Sequence, residues 1–107
     1  MRIKVWNIEA ITGYHPKTTF YEDFSIADHF GIPAVKDTYK RGLETAKAMG
    51  YEYLTEFVMV LNWKIWEHHE HNDDLAKVYN DLWIDADIIA QETLKGEELS
   101  YYYETTD

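Results

Sequence analysis

The residues best equipped for chemistry crowd into one stretch, Trp66-Glu67-His68-His69-Glu70-His71-Asn72-Asp73-Asp74. Imidazole and carboxylate together suit zinc, nickel or iron(II). On a helix, His68 and His71 stand three apart and Glu67 and His71 four apart, so each pair can share a face. Glu67, His68 and His71 are therefore the candidate metal ligands. Several features weigh against them. Three imidazoles within four residues splay round a helix axis and cannot all reach one ion. The zinc-helix pattern needs two histidines four apart around a glutamate, and it is absent. A di-iron bundle needs Glu-x-x-His on two helices, which the long acidic helices expected here do not supply. A polar helix C-terminus, where partly protonated histidine complements the helix dipole, explains the same residues more simply. The balance favours no metal and no cofactor.

Other catalytic patterns are thin. The serines are Ser25 and Ser100, and neither lies in a Gly-x-Ser-x-Gly turn. No glycine-rich loop could cradle phosphate. With no cysteine there is no thiol nucleophile, thiolate zinc site or disulfide framework. Carboxylate pairs such as Asp81 and Asp85 lie beside an apolar stripe, with nothing local to separate their pKa values as acid–base work requires. The sequence leans away from an enzyme.

These residues hang on a helical framework. Its organising stretch is Tyr51 to His71, whose centre, Phe57-Val58-Met59-Val60-Leu61, continues into Trp63, Ile65 and Trp66. A run apolar almost all round is a helix covered from several sides. Glu56, Asn62 and Lys64 interrupt it too closely for a membrane span. Trp63, Trp66 and, from the following helix, Trp83 are expected in the core.

Before it, Ala34, Val35, Tyr39, Leu43, Ala46 and Met49 recur at helical spacing, with Pro33 in the first turn and Gly50 at the end. Gly42 inside that helix marks close packing. A short helix is expected within Phe20–Phe30, with capping-box spacing at Thr19/Glu22 and Ser25/Asp28; Gly31 stops it. Ile11 to Thr19 reads as a loop around Gly13 and Pro16. After the central helix, Asn72-Asp73-Asp74 opens a helix that runs to about Lys95 on the stripe Leu75, Val78, Tyr79, Leu82, Trp83, Ala86, Ile89, Ala90 and Thr93. Arg2 to Ile8 alternates like a strand, and Leu99 to Tyr103 is the other β-favouring run, so the two ends could pair. The expected fold is one mostly α domain over residues 1–107. It comprises a bundle of three long helices and one short one, with a short N-terminal strand against the C-terminal tail.

Charge divides the chain. The net charge is −10, and the whole excess lies in residues 67–107; residues 1–66 balance. An acidic face of that kind repels nucleic acid and anionic membrane and attracts basic proteins. The outward carboxylates Asp81, Asp85 and Glu92 are its candidate contacts. Tyr101, Tyr102 and Tyr103 join them, because tyrosine favours interfaces; the competing reading has the tail packing over the helices and hiding these rings. Met1 to Asn7 lacks the apolar core of a signal peptide, and a cytoplasmic protein is expected.

The stretches Thr18 to Gly31, Asn62-Trp-Lys-Ile-Trp-Glu-His68 and Leu94 to Asp107 resemble small uncharacterised proteins of Gram-positive gut-bacterial mobile elements. The resemblance implies no site residues. It implies an accessory protein that disarms host defence or regulates transfer, some such proteins being acidic mimics of DNA. Three functions compete: an interaction module with a basic protein partner, a metal-binding protein, and a structural homo-oligomer joined through its ends. The first is favoured.

Overall fold

A computed structural model describes residues 16–106 as five helices. They are α1 (Pro16–Phe30), α2 (Ile32–Met49), α3 (Tyr51–His68), α4 (Asp73–Thr93) and α5 (Glu97–Thr106). No strand occurs among the described residues. Arg2 to Ile8 lies outside them, but its expected partner, Leu99 to Tyr103, is helical within α5. Local β propensity yields there to burial, because Tyr102 and Leu99 pack onto the bundle from one face of a helix. Thus the bundle has five helices where three long and one short are expected. The first is also longer than its sequence signals suggest. It begins at Pro16, where a missing N–H costs nothing in a first turn, so Ser25 and Asp28 are helix interior and cap nothing.

The breaks fall where the chain demands them. Gly31 and Gly50 have φ of +106° and +118°, values that a side chain disfavours. Between α3 and α4 the stop is a side-chain cap: Asn72 Oδ1 accepts from the Leu75 N–H at 3.1 Å. Short connections make neighbours antiparallel. Accordingly His68 lies against Tyr79, while Trp63, farther back along α3, shares a cleft with Trp83, farther along α4.

Helix α3 is central and touches each of the other four. Phe57 is its pivot, fully buried, with ring centroids 5.2 Å from Phe20, 5.8 Å from Phe24 and 5.7 Å from Tyr39. Gly42 of α2 makes room for it; a Cβ there would stand 2.6 Å from Phe57 Cε1. The core does not take the tryptophans as expected. Trp63 and Trp66 are 43% and 65% exposed, and Trp83 is half-buried. The residue buried between them in sequence is Lys64. Among the described residues no helix is long and apolar enough to cross a membrane.

Three substitutions test this packing by chemical denaturation. Phe57→Ala should cost about 3–5 kcal/mol, whereas Trp66→Ala should cost well under that, since its ring stands largely in water. Gly42→Ala should destabilise despite a helix-propensity gain of about 1 kcal/mol, because the new methyl collides with Phe57. A stabilised Gly42→Ala protein would refute the close approach.

Candidate functional site

The polar centre of the molecule is built around Lys64, whose side chain is fully buried. A bare ammonium in an apolar interior is prohibitively costly, so its surroundings must supply negative charge and acceptors. Nζ lies 2.8 Å from Asp28 Oδ2 and 2.8 Å from Glu67 Oε2, and donates to Ser25 Oγ at 3.2 Å. The Tyr21 ring faces it with its centroid 4.7 Å away, and Tyr79 lies at 5.8 Å. Such ring faces stabilise a desolvated cation.

A second layer fixes the carboxylates. Asp28 Oδ2 also accepts from His68 Nε2 at 2.8 Å, and Oδ1 accepts from the Tyr79 hydroxyl at 2.5 Å. Since an ionised carboxylate only accepts, Nε2 carries the proton in this contact. The His68 and Tyr79 rings stack in parallel at 5.7 Å. Glu67 Oε1 accepts from the Tyr21 hydroxyl. The network joins α1 (Tyr21, Ser25, Asp28), α3 (Lys64, Glu67, His68) and α4 (Tyr79).

Electrostatics follow from this geometry. Burial acts to lower the Lys64 pKa, but hydrogen bonds to Asp28 and Glu67 and their charges outweigh it, so it rises above the ordinary lysine value. Lys64 stays protonated and is neither a nucleophile nor a base at neutral pH. Partial burial acts to raise Glu67, yet the Lys64 and Tyr21 hydrogen bonds and the Lys64 charge leave it below the usual carboxylate value. Burial, then the bond to Asp28, pushes the Tyr79 phenol well up.

Of the three candidate metal ligands, Glu67 and His68 come together and His71 does not; it lies exposed in the turn before α4. Asp28, some forty residues away in sequence, takes its place. Ligand atoms of Asp28, Glu67 and His68 all lie within 4.8 Å of one another. However, Nζ of Lys64 sits at hydrogen-bond distance from both carboxylates, where a metal would need to be. The site carries its own cation, and its residues do not fit a metal while that ammonium is in place. Lys64, Asp28, Tyr79, Tyr21 and Ser25 were not legible as site residues. The available signal was the lysine inside an otherwise apolar run.

The expected interaction residues divide. Asp81, Asp85 and Glu92 are exposed on α4, although Asp85 accepts a hydrogen bond from the buried Tyr39 of α2 and so has a structural task. The tyrosine run does not form one surface. Tyr102 is core and donates to Asp87. Tyr101 is half-buried, edge-on to Tyr51 at 5.3 Å. Tyr103 alone of the three is exposed, donating to Gln91. A helical tail turns one of three consecutive rings inward, a separation that an extended reading misses.

No family model, curated protein or solved structure matches the chain.

Lys64→Met should destabilise by about 3–5 kcal/mol at pH 7, because it strands two carboxylates. The loss should depend on pH with a definite sign. Glu67, depressed in the fold, contributes stability above its unfolded pKa, and that contribution fades as pH falls through the folded value. Lys64, raised in the fold, contributes fully below its unfolded pKa and loses its contribution as pH rises through the folded one. The gap between wild type and Lys64→Met should therefore be widest between about pH 5 and 10 and narrow below about pH 4. Urea unfolding across pH would show it, and a gap that does not narrow in acid would contradict the network. Separately, zinc or nickel titrated calorimetrically should bind only weakly, with His71→Ala making no difference.

Proposed function

We propose that the protein is a non-enzymatic interaction module that uses the acidic outer face of α4 to bind a basic protein partner. One observation carries the reading. At 3.6 residues per turn Asp81, Ile84, Asp85, Ile88 and Glu92 fall on one side of α4, opposite buried Leu75, Tyr79, Ala86 and Ala90. Ile84 and Ile88 are 45% and 51% exposed, an apolar ridge flanked by carboxylates. A purely solvating face has no use for two bare isoleucines, while a docking face uses them as its dry centre and the charges as its rim.

The same pair argues for the broad form of the reading over its sharp form. A DNA mimic acting against a host defence nuclease, which the mobile-element resemblance would suggest, needs carboxylates spaced like phosphates along a polar surface. Isoleucines between the carboxylates suit a partner that offers apolar side chains among lysines and arginines, such as an amphipathic basic helix. Nucleic acid is disfavoured as a direct partner, since its phosphates would meet like charge.

The test uses Asp81→Lys with Glu92→Lys, leaving Asp85 in place because of its bond to Tyr39. The double variant should fold with wild-type helicity and melting temperature. Its affinity for a synthetic amphipathic lysine–leucine helix should fall on the order of tenfold, mainly through slower association. Wild-type binding should weaken as salt rises beyond about 0.15 M. Unchanged affinity in the double variant would show that the acidic face serves only solubility.

A further inference from the structure

Helices α1 and α2 are joined by Gly31 alone, and an open groove of about 580 Å³ runs between them. Its two walls differ. The α1 wall carries Ile26 and Phe30, four apart on one helix face and 59% and 77% exposed. Phe30 is the most exposed large apolar side chain among the described residues. The α2 wall is low, made by Ala34, Thr38, Gly42 and Thr45 at spacings of three and four. Buried Phe20 and Ala27 supply an apolar floor. We propose that this groove is a self-association surface: about a two-fold axis, each copy of the chain seats its Ile26–Phe30 wall against the low α2 wall of the other.

Shape supports a second copy as the occupant. A two-fold interface uses one patch twice, so the patch must carry both a projection and the recess that receives it. Here both belong to one helical hairpin: Phe30 is the last residue of α1, and Ala34 lies in the first turn of α2. The recess has room for both projecting side chains, since a cavity of about 150 Å³ already holds a benzene ring. Charge supports the same occupant. Among the described side chains of α1 and α2, exposed Glu22, Asp23, Asp37 and Glu44 stand against exposed Lys36, Lys40, Arg41 and Lys47, which balance. Asp28 is paired inside with Lys64. A chain of net charge −10 repels its own copy wherever the acids of α4 and α5 meet. Along α1 and α2 two copies approach without that cost, whereas a basic partner gains nothing from a balanced face. The groove itself holds both signs, Asp23 and Asp37 beside Arg41, with Arg41 2.9 Å from Asp37 Oδ2. A two-fold lets such a mixed set face itself with unlike charges opposite.

The mode of contact sets the sign of the salt effect. Apolar contact gains nothing from low salt, and screening weakens the repulsion between two acidic molecules, so self-association strengthens as salt rises. The acidic face of α4 behaves in the opposite way toward a basic partner. The two surfaces share no residue, so each is tested without the other.

Sedimentation velocity on the full chain tests this from about 10 µM to about 1 mM, the range of a small, weak interface. Monomer should give way to dimer with a dissociation constant on the order of 100 µM. The dimer fraction should rise between about 0.05 and about 0.5 M salt. Phe30→Asp should weaken dimerisation by about tenfold or more and leave the melting temperature unchanged, since the ring is exposed in the single chain. Thr45→Trp, which fills the recess from an exposed position on α2, should do the same. In a mixed sample of labelled and unlabelled chain, isotope-filtered NOEs should join the Phe30 ring to the Ala34 and Thr45 methyls of the other copy. Asp81→Lys with Glu92→Lys should dimerise at least as well as wild type. A chain that stays monomeric throughout this range overturns the proposal. In that case, a melting temperature lowered by Phe30→Asp would show a groove covered within one molecule, and an unchanged one a groove that serves some other ligand. A dimer indifferent to both Phe30→Asp and Thr45→Trp is built elsewhere on the chain, and overturns the proposal equally.

Discussion

A buried ammonium governs this bundle. Lys64 sits at the heart of the helix that every other helix touches, where desolvation alone would expel a charge. It stays because α1 brings Asp28 and Ser25, the next turn of α3 brings Glu67, and Tyr21 and Tyr79 close over it. Each partner is useful only at one position, so the network fixes how α1 and α4 sit on α3. Apolar contacts among Phe20, Phe24, Tyr39 and Phe57 add cohesion but carry less directional preference. The hydrogen-bonded ion pairs at 2.8 Å fix direction as well as distance.

That internal balance shapes the outside. The carboxylates nearest Lys64 are neutralised within the fold and do little at the surface. Apart from Asp87, which is half-buried against Tyr102, the acids of α4 and α5 are exposed with little opposing charge, since Lys77 is the single base on those two helices. Exposed Ile84 and Ile88 stand among them, with Trp63 and Trp66 on α3. Chemistry inside the molecule is thus spent on holding helices. Lys64, with its raised pKa, is locked as a cation, whereas Asp81 and Glu92 are exposed on α4.

Some elements were plain from the residues themselves. Periodic apolar spacing from Ala34 to Met49 and from Leu75 to Ala90, Pro33 in a first turn, Gly31 and Gly50 as breaks and Asn72 as a cap each reflect local physics acting within a few residues. So does the segregation of charge, which needs only the order of the chain. Gly42 belongs with these, since a glycine inside a helix weakens it and therefore points to a close neighbour, here Phe57.

What the sequence could not decide is which helix covers which face. Periodicity assigns residues to one side of one helix, and the side that ends in water depends on partners far along the chain. Trp63 and Trp66 look like core because they are large and apolar, yet they stay 43% and 65% exposed. Lys64 looks like surface because it is charged, yet Asp28 meets it from 36 positions earlier in the chain. Tyr101, Tyr102 and Tyr103 are alike as residues, and only the docking of α5 separates a core ring from an exposed one. The carboxylate and imidazole of Glu67 and His68 invited a metal; tertiary structure placed an ammonium between the carboxylates instead. Local propensity operates over one or two turns, while burial of a charge is settled only when segments distant in sequence meet.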